Sequence, residues 1–238
     1  MWETFSYFVM VPMVYIAFAT LVIGIIFKLV AAYRSPGIPG RLAVFPHEPS
    51  AALGTIKEAF AVPVAFRASR VFWFFIIAYH VAFTLLFLGH LELVDEIGIL
   101  QIVPHRIFLG EGIVGVVLAA SVLYFLFRRF GTPYREISVP EDYVLLLLLF
   151  FSILFGSILH LADRYGMTAL TVPVEDYRIY FSSLLSFHPR LPVMVTASPH
   201  FVIFILHLFF ANLVLMLFPF TKMIHAVFVF FALNLKRK

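Results

Sequence analysis

Five long apolar stretches run through this chain, and they constrain its fold more than any other feature. Hydrophobic residues make up 63% of its 238 residues, whereas charged residues make up only 13%. A soluble domain is nearer half apolar and a quarter charged, so the composition predicts an integral membrane protein. A helix needs roughly 20 residues to cross a hydrocarbon layer of about 30 Å. The stretches that meet this length are Phe5–Ala32, Val71–Leu91, Ile107–Phe127, Tyr143–Ala162 and His200–Pro219, the last with a helical extension to Leu235.

The sequence therefore predicts a single all-α membrane domain over residues 1–238, a bundle of five transmembrane helices. Basic residues predict its orientation, because loops on the cytoplasmic side of a membrane carry an excess of Lys and Arg. With the N-terminus outside and the C-terminus in the cytoplasm, 13 of the 17 basic residues fall on the inner side. The expected location is the cytoplasmic membrane of a prokaryote. A surface helix is predicted over Val174–Phe187, in the outer loop before the last span.

The residue types limit the chemistry that this chain can perform. It contains no cysteine, which excludes disulfides, thiolate zinc sites and iron–sulfur clusters held by this chain. Any metal must be held by His, Met or carboxylates, and nine His are present. The net charge of +4 reflects membrane orientation and contact with lipids, so no nucleic-acid partner is expected.

Four histidines fall within two of the apolar stretches. His80 and His90 are ten residues apart, and His207 and His225 are 18 residues apart. Eighteen residues are five helical turns, so on one continuous helix His207 and His225 would face the same way, about 27 Å apart. The rise from His80 to His90 is about 15 Å. Antiparallel packing is expected to bring His80 level with His225 and His90 level with His207.

Two imidazoles at one level are the axial ligand set of a six-coordinate haem. Without a Cys-X-X-Cys-His motif, such a haem would be of the b type. The two rises differ by about 12 Å, and helix tilt and a kink at Pro219 would have to absorb that difference. An intramembrane histidine can also be a hydrogen-bonded packing residue. The pattern alone therefore leaves haem ligation and packing both open.

Two motifs resemble the di-haem cytochrome b family of the respiratory nitrate reductase gamma subunit. They are Gly89-His90 following His80, and His207 followed by Phe-Pro-Phe-Thr-Lys-Met-Ile-His ending at His225. The inner loop from Phe45 to Phe60 is closer to the membrane subunits of heterodisulfide-reductase-like and dissimilatory sulfite-reduction-associated complexes.

The resemblance implies two haem b groups, an inner one bound by His80 and His225 and an outer one bound by His90 and His207. It also implies that quinol, with menaquinol as the expected type, is oxidised near the outer face. Electrons would then pass to a cytoplasmic iron–sulfur subunit of the heterodisulfide-reductase-like or nitrate-reductase-beta-like kind. Further membrane or outer-face subunits are compatible with this arrangement.

Other polar residues are candidates for the quinol site and for pairing with haem propionates. Quinol oxidation releases protons, so its site needs a proton acceptor. The candidates at the outer depth are Glu92, His105, Arg106, Glu111, His160 and Asp163. His105 or Arg106 would replace a lysine that contacts quinone in the family's nitrate reductase member. The propionate candidates on the inner side are Arg67, Arg70, Arg128 and Lys222. For any single residue of either set, an ordinary interfacial role is the simpler interpretation.

Two other classes of function stay open from the sequence. One is a membrane anchor that recruits a soluble enzyme and binds one haem or none. The other is a proton or metal transporter that uses intramembrane histidines. Transporters often have internal repeats and helices broken at the midplane. No repeat is visible here, and Pro219 is the only interruption of a span that the sequence predicts.

Overall fold

The computed structural model describes residues 1–35, 51–94, 112–167, 170 and 172–229, and within those ranges it contains helices and no strand. The α-helices are α1 (Trp2–Met10), α2 (Pro12–Arg34), α3 (Ala51–Ala61), α4 (Pro63–Ala68), α5 (Arg70–Leu91), α6 (Ile113–Arg128), α7 (Tyr134–Ile137), α8 (Pro140–Arg164), α9 (Val174–Leu185), α10 (Val193–Ala197) and α11 (Val202–Leu217). Short 3₁₀ helices cover Pro199–Phe201, Phe218–Phe220 and Lys222–Ile224. Residues 225–229 return to α-helix.

Four helical segments of the described chain are long and apolar enough to cross a membrane. They are Trp2–Arg34, Arg70–Leu91, Pro140–Arg164 and Pro199–Phe220. Helix α6 is also apolar but has 16 described residues, and residues 107–111 of its predicted span lie outside the described part, as do residues 230–235 of the predicted extension. The all-helical, multi-pass membrane class predicted from the sequence is confirmed.

The long helices pack in a series that differs from their order in the chain. Helix α5 packs against α6, α6 against α8, α8 against α11, and α11 against α2. The predicted outer-loop helix is present as α9, but it is not simply a surface helix, because Tyr180 and Leu184 are buried in a cluster with Met10 and Ile205. Helix α9 therefore closes one end of the bundle.

The first apolar stretch is two helices, α1 and α2, rather than one. Pro12 has no N–H to continue the hydrogen-bond ladder, and the chain bends at Val11, where φ is −122° and ψ is −75°. Two side chains donate hydrogen bonds to carbonyls just before the bend. The Asn212 amide donates to the carbonyl of Val9 at 3.2 Å, and the Tyr180 hydroxyl donates to the carbonyl of Met10 at 2.6 Å. The expectation that only Pro219 interrupts a span was therefore wrong, although this second break lies near the end of its span and not at the midplane.

Pro219 ends the last long helix instead of merely kinking it. Helix α11 stops at Leu217, and two 3₁₀ turns follow before His225. The sequence predicted a helix that continues through a kink at Pro219, whereas the α-helix ends there, because the proline ring removes a backbone donor and crowds the preceding turn. Pro219 is fully buried. It packs so tightly on Gly24 of α2 that a Cβ there would lie 2.5 Å from the Cγ of Pro219.

The Gly24→Ala variant is expected to destabilise the protein, because the rigid proline ring cannot move aside without shifting the backbone. Overpacking of this kind costs about 1–3 kcal/mol, which a thermal melt in detergent would detect. Gly131→Ala is the matched control, since a Cβ there would meet nothing closer than 3.8 Å. Equal melting temperatures for the two variants would contradict the tight contact.

Candidate functional site

The structure brings four histidine side chains together as two pairs. The ring centres of His80 and His225 are 6.1 Å apart, with 75° between their planes. Those of His90 and His207 are 6.2 Å apart, with 39° between their planes. Both pairs are the ones expected from antiparallel packing of the two histidine-bearing segments.

The break at Pro219 removes the mismatch in rise. Leu217 ends α11 ten residues after His207, the same separation as that of His80 and His90. Both helical segments therefore rise by about 15 Å. The chain then leaves the regular helix in two 3₁₀ turns, and His225 lies beside His80.

Each of the four rings is oriented by a hydrogen bond between its Nδ1 and a backbone carbonyl. The acceptors lie 2.7–2.8 Å away: Ile76 for His80, Leu86 for His90, Ser152 for His207 and Lys222 for His225. Because a carbonyl can only accept, Nδ1 carries the hydrogen and Nε2 of a neutral ring carries the lone pair. Metal-binding histidines are commonly fixed in this manner.

The ring separations fit a metal ion held between two Nε2 atoms. Two bonds of about 2.0 Å, with about 1.2 Å from each nitrogen to its ring centre, place the ring centres about 6.4 Å apart. The observed distances of 6.1 and 6.2 Å agree with this value. Within the described residues no cluster of three or more His or acidic ligands forms. Two protein ligands per centre suit haem, in which the macrocycle supplies the other ligands.

Helices α5 and α11 meet through these rings and not through packed backbones. Within the described residues they make no extended contact with each other, and α6 and α8 pack between them in the series. His80 and His225 are exposed, whereas His90 and His207 are partly buried. Of the two ring pairs, His90–His207 therefore joins α5 to α11, and His80–His225 joins α5 to the segment that follows the 3₁₀ turns.

Helix α8 forms a seat for His207. The His207 ring donates to the carbonyl of Ser152 at 2.8 Å, and it lies directly against Gly156, one turn further along. A Cβ at Gly156 would lie 2.8 Å from Cε1 and 3.0 Å from Nδ1 of His207. Only glycine allows the imidazole to approach the helix this closely. Gly156 gave no signal in the sequence, because its role depends on a contact with another helix.

Three of the six quinol-site candidates lie in or at the end of described helices that carry or contact the His90–His207 pair. Glu92 caps the end of α5, two residues after His90, and is half-buried. His160 is half-buried on α8 and lies near enough to His207 for their charges to interact. Asp163 is exposed in the last turn of α8. The other three candidates, His105, Arg106 and Glu111, lie outside the described residues.

Tyr177 of α9 is a further polar residue at this end that sequence reasoning missed. Its ring packs against Phe204 of α11, with the ring centres 5.5 Å apart. Burial raises the pKa of the Tyr177 phenol, and the negative charge of Asp163 raises it further. The phenol therefore stays protonated at neutral pH and can act as a hydrogen-bond donor. Its position follows from the packing of α9 onto α11, which the sequence did not indicate.

The inner-side basic candidates have other partners in this structure. The ammonium group of Lys222 lies 2.7 Å from a carboxylate oxygen of Asp142. The Arg128 guanidinium is stacked between two rings, 3.7 Å from the centre of Phe72 and 3.6 Å from that of Tyr134. The remaining two candidates are exposed: Arg67 and Arg70.

Comparison with known proteins agrees with this geometry. The sequence pattern of the nitrate reductase gamma subunit family matches residues 65–237. The chain belongs to this family. The matched range contains all four paired histidines, and the resemblance predicted from the sequence is confirmed. Membership makes this protein a membrane component of an oxidoreductase complex.

The chain is also similar to a curated protein of Archaeoglobus fulgidus, the Hdr-like menaquinol oxidoreductase cytochrome b-like subunit. The two are 29% identical over 184 residues, which cover 71% of this chain and 51% of that protein. This chain therefore spans about half the length of that relative. The name agrees with the heterodisulfide-reductase-like branch predicted from the inner loop.

The Gly156→Ala variant is expected to displace the His207 ring and to lower the haem bound per chain. The new methyl group would overlap two ring atoms, and His207 would lose its hydrogen bond to Ser152. Pyridine haemochrome absorbance per mole of purified protein measures the effect. Gly115→Ala is the matched control, because the added Cβ there would meet the Ser157 side chain and no histidine. An equal loss of haem in both variants would indicate a general packing defect instead.

Proposed function

We propose that this protein is the membrane cytochrome b subunit of a quinol-oxidising complex, in which His80 and His225 hold an inner haem b and His90 and His207 hold an outer one. The observation that carries the proposal is the ring-to-ring distance of 6.1 and 6.2 Å in the two pairs, with each Nδ1 hydrogen-bonded to a carbonyl. When bound, haem supplies a one-electron redox couple. The chain supplies the ligands, their tautomers and the apolar surroundings.

The proposed topology has five spans, with the N-terminus outside and the C-terminus in the cytoplasm. Helix α6 would be the third span, together with the residues that precede it. Basic residues at the Asp142 end of the bundle favour that end as the cytoplasmic one. The His80–His225 pair then lies on the inner side and the His90–His207 pair on the outer side.

Quinol would bind beside the outer pair, where the polar residues converge. A quinol hydroxyl must lose its proton as electrons leave, so a nearby general base is required. Glu92 and His160 are the described groups that would accept this proton, and exposed Asp163 would pass it to the outer solution. The protonated phenol of Tyr177 would donate a hydrogen bond to a quinol oxygen. His105, Arg106 and Glu111 remain candidates for the same site. The name of the archaeal relative supports menaquinol as the quinol.

The partner proposed for the inner side is a cytoplasmic iron–sulfur subunit. This chain has no cysteine, so an iron–sulfur acceptor must lie on another chain. The archaeal relative supports a heterodisulfide-reductase-like partner, and the family match supports a nitrate-reductase-beta-like one as the second choice. Membrane lipids surround the bundle, and further membrane or outer-face subunits would complete the complex.

The haem content of histidine variants tests the central proposal. The purified wild-type protein is expected to contain two b haems per chain by pyridine haemochrome assay. His80→Ala or His225→Ala should remove one of them, and His90→Ala or His207→Ala the other, because each haem loses an axial ligand. A redox titration of each variant should therefore show a single transition. His188→Ala, at an exposed loop position, is the control and should retain both.

The number of haems per chain would also distinguish the proposed cytochrome from the other classes of function. One haem per chain would favour a mono-haem anchor, and a folded, haem-free protein would favour a transporter or a simple anchor. For the quinol step, a reduced menaquinone analogue added to wild-type membranes should transfer electrons to the haem, and the absorbance spectrum of reduced haem should appear. A spectrum that remains that of oxidised haem under those conditions would contradict quinol oxidation.

Single cysteines test the proposed topology, since the wild-type chain has none. Ser182→Cys on α9 is expected to react with a membrane-impermeant maleimide in intact cells, because α9 would lie outside. Ser35→Cys at the end of α2 should react only after the membrane is permeabilised. Both side chains are exposed, so accessibility within the fold does not limit the reaction. The reverse labelling pattern would invert the topology and place the quinol site on the cytoplasmic side.

A further inference from the structure

A buried carboxylate lies at the His80–His225 end of the bundle, outside the histidine pairs. Asp142, in the first turn of α8, is only 4% exposed. Its Oδ2 accepts a hydrogen bond from Arg129 at 2.8 Å and one from the backbone N–H of Val139 at 3.3 Å. Lys222 lies 2.7 Å from Oδ1 and 2.8 Å from Oδ2. A buried charge is costly unless it is paired and hydrogen-bonded, so these cations are held in place by the carboxylate.

Lys222 connects this carboxylate to His225. Its ammonium group is bound by Asp142, while its backbone carbonyl accepts the hydrogen bond from Nδ1 of His225 at 2.7 Å. That carbonyl therefore determines which way the imidazole points and which nitrogen carries the lone pair. Lys222 is the first residue of the short 3₁₀ turn that ends at Ile224.

Besides the ion pair, this turn is held by the packing of Met223 against a cluster of buried residues that includes Leu145, and by a hydrogen bond from the Ile224 N–H to the Thr221 carbonyl at 3.3 Å. It follows the helix break at Pro219, so the regular hydrogen-bond ladder of α11 does not reach it. Thr221 caps the turn by accepting the N–H of Met223 at 3.4 Å, a long and weak hydrogen bond. The other three histidines take their orientation from carbonyls of the long helices α5 and α8. His225 takes its orientation from a short turn whose first residue, Lys222, is anchored through an ion pair.

We propose that Asp142 is the positioning residue for His225: by binding Lys222 with both carboxylate oxygens, it fixes the turn whose carbonyl orients the imidazole. This inference rests on the proposed function, in which His225 is an axial ligand of the inner haem. Asp142 itself touches neither histidine ring. Its effect is transmitted through the side chain and then the backbone of Lys222.

If Asp142 acted only as the cap of α8, the orientation of His225 would not depend on Lys222. Asp142 also accepts the N–H of Val139 and pairs with Arg129, and both contacts stabilise the start of α8 whether or not Lys222 is present. If only these contacts mattered, removing the ammonium group of Lys222 would leave His225 unaffected. Lys222 is 66% exposed, so Lys222→Met retains most of the side-chain volume without burying a new charge.

The experiment measures the low-spin ferric haem signals of the complete complex in membranes, with the inner signal assigned by its loss in His80→Ala. Asp142→Ala and Lys222→Met are each expected to lower the inner signal at least twofold and to leave the outer signal unchanged. The double variant should be no worse than the more severe single variant, because both changes break one interaction. Lys222→Arg should keep the inner signal, since it preserves the charge. Glu141→Gln, which removes an exposed carboxylate next to Asp142, is the matched control and should change neither signal.

Each other outcome has a definite meaning. An unchanged inner signal in Lys222→Met would overturn the inference, whatever Asp142→Ala does, and would leave Asp142 as a helix cap. Should Asp142→Ala lose both signals by failing to fold, Lys222→Met still decides the question. A wild-type complex without an inner haem signal would overturn the proposed function, and this inference with it. A normal wild-type signal combined with additive losses in the double variant would overturn the inference alone.

Discussion

The separation of His80 and His90 on α5 sets the spacing that the rest of the bundle has to match. Ten helical residues rise by about 15 Å, and the opposing segment must offer its own two rings at that distance. An unbroken helix from His207 would carry His225 too far. Helix α11 stops before Pro219, ten residues after His207, and His225 follows two 3₁₀ turns to lie beside His80. Gly24 is part of this constraint, because it gives the Pro219 ring the space that the break needs.

Each helix break in a bilayer exposes backbone groups that water cannot reach, so each needs side chains to compensate. At the break before Pro12, Asn212 donates to the carbonyl of Val9 and Tyr180 donates to the carbonyl of Met10. These two donors come from α11 and α9, so the same contacts also fix both helices against the N-terminal segment. The end of the bundle that carries the His90–His207 pair is thereby tied together. At the other break, the Asp142 carboxylate binds the side chain of Lys222, three residues after Pro219.

The sequence could predict the features that depend on local pattern. Apolar length gave the long membrane helices, and residue type and spacing gave the two histidine pairs, since antiparallel order alone matches them. It could not predict features that depend on contacts between distant residues. Lys222 was a candidate for pairing with a propionate, and nothing in the pattern indicated its ion pair with Asp142, 80 residues away in the chain. The seat that Gly156 forms for His207 was invisible for the same reason. The error at His225 has another origin: five whole turns were assumed to continue through a proline.

The two histidine pairs are held by different physical interactions, and this difference has consequences for how they respond to their surroundings. His207 is held by close packing against Gly156 and by a carbonyl of a long helix, so its position depends on steric fit and is insensitive to salt. His225 is held through Lys222, whose side chain is 66% exposed although its carboxylate partner Asp142 is buried. The position of His225 therefore depends on an ion pair as well as on packing. The His80–His225 pair lies at the end of the bundle where an iron–sulfur partner is proposed to dock.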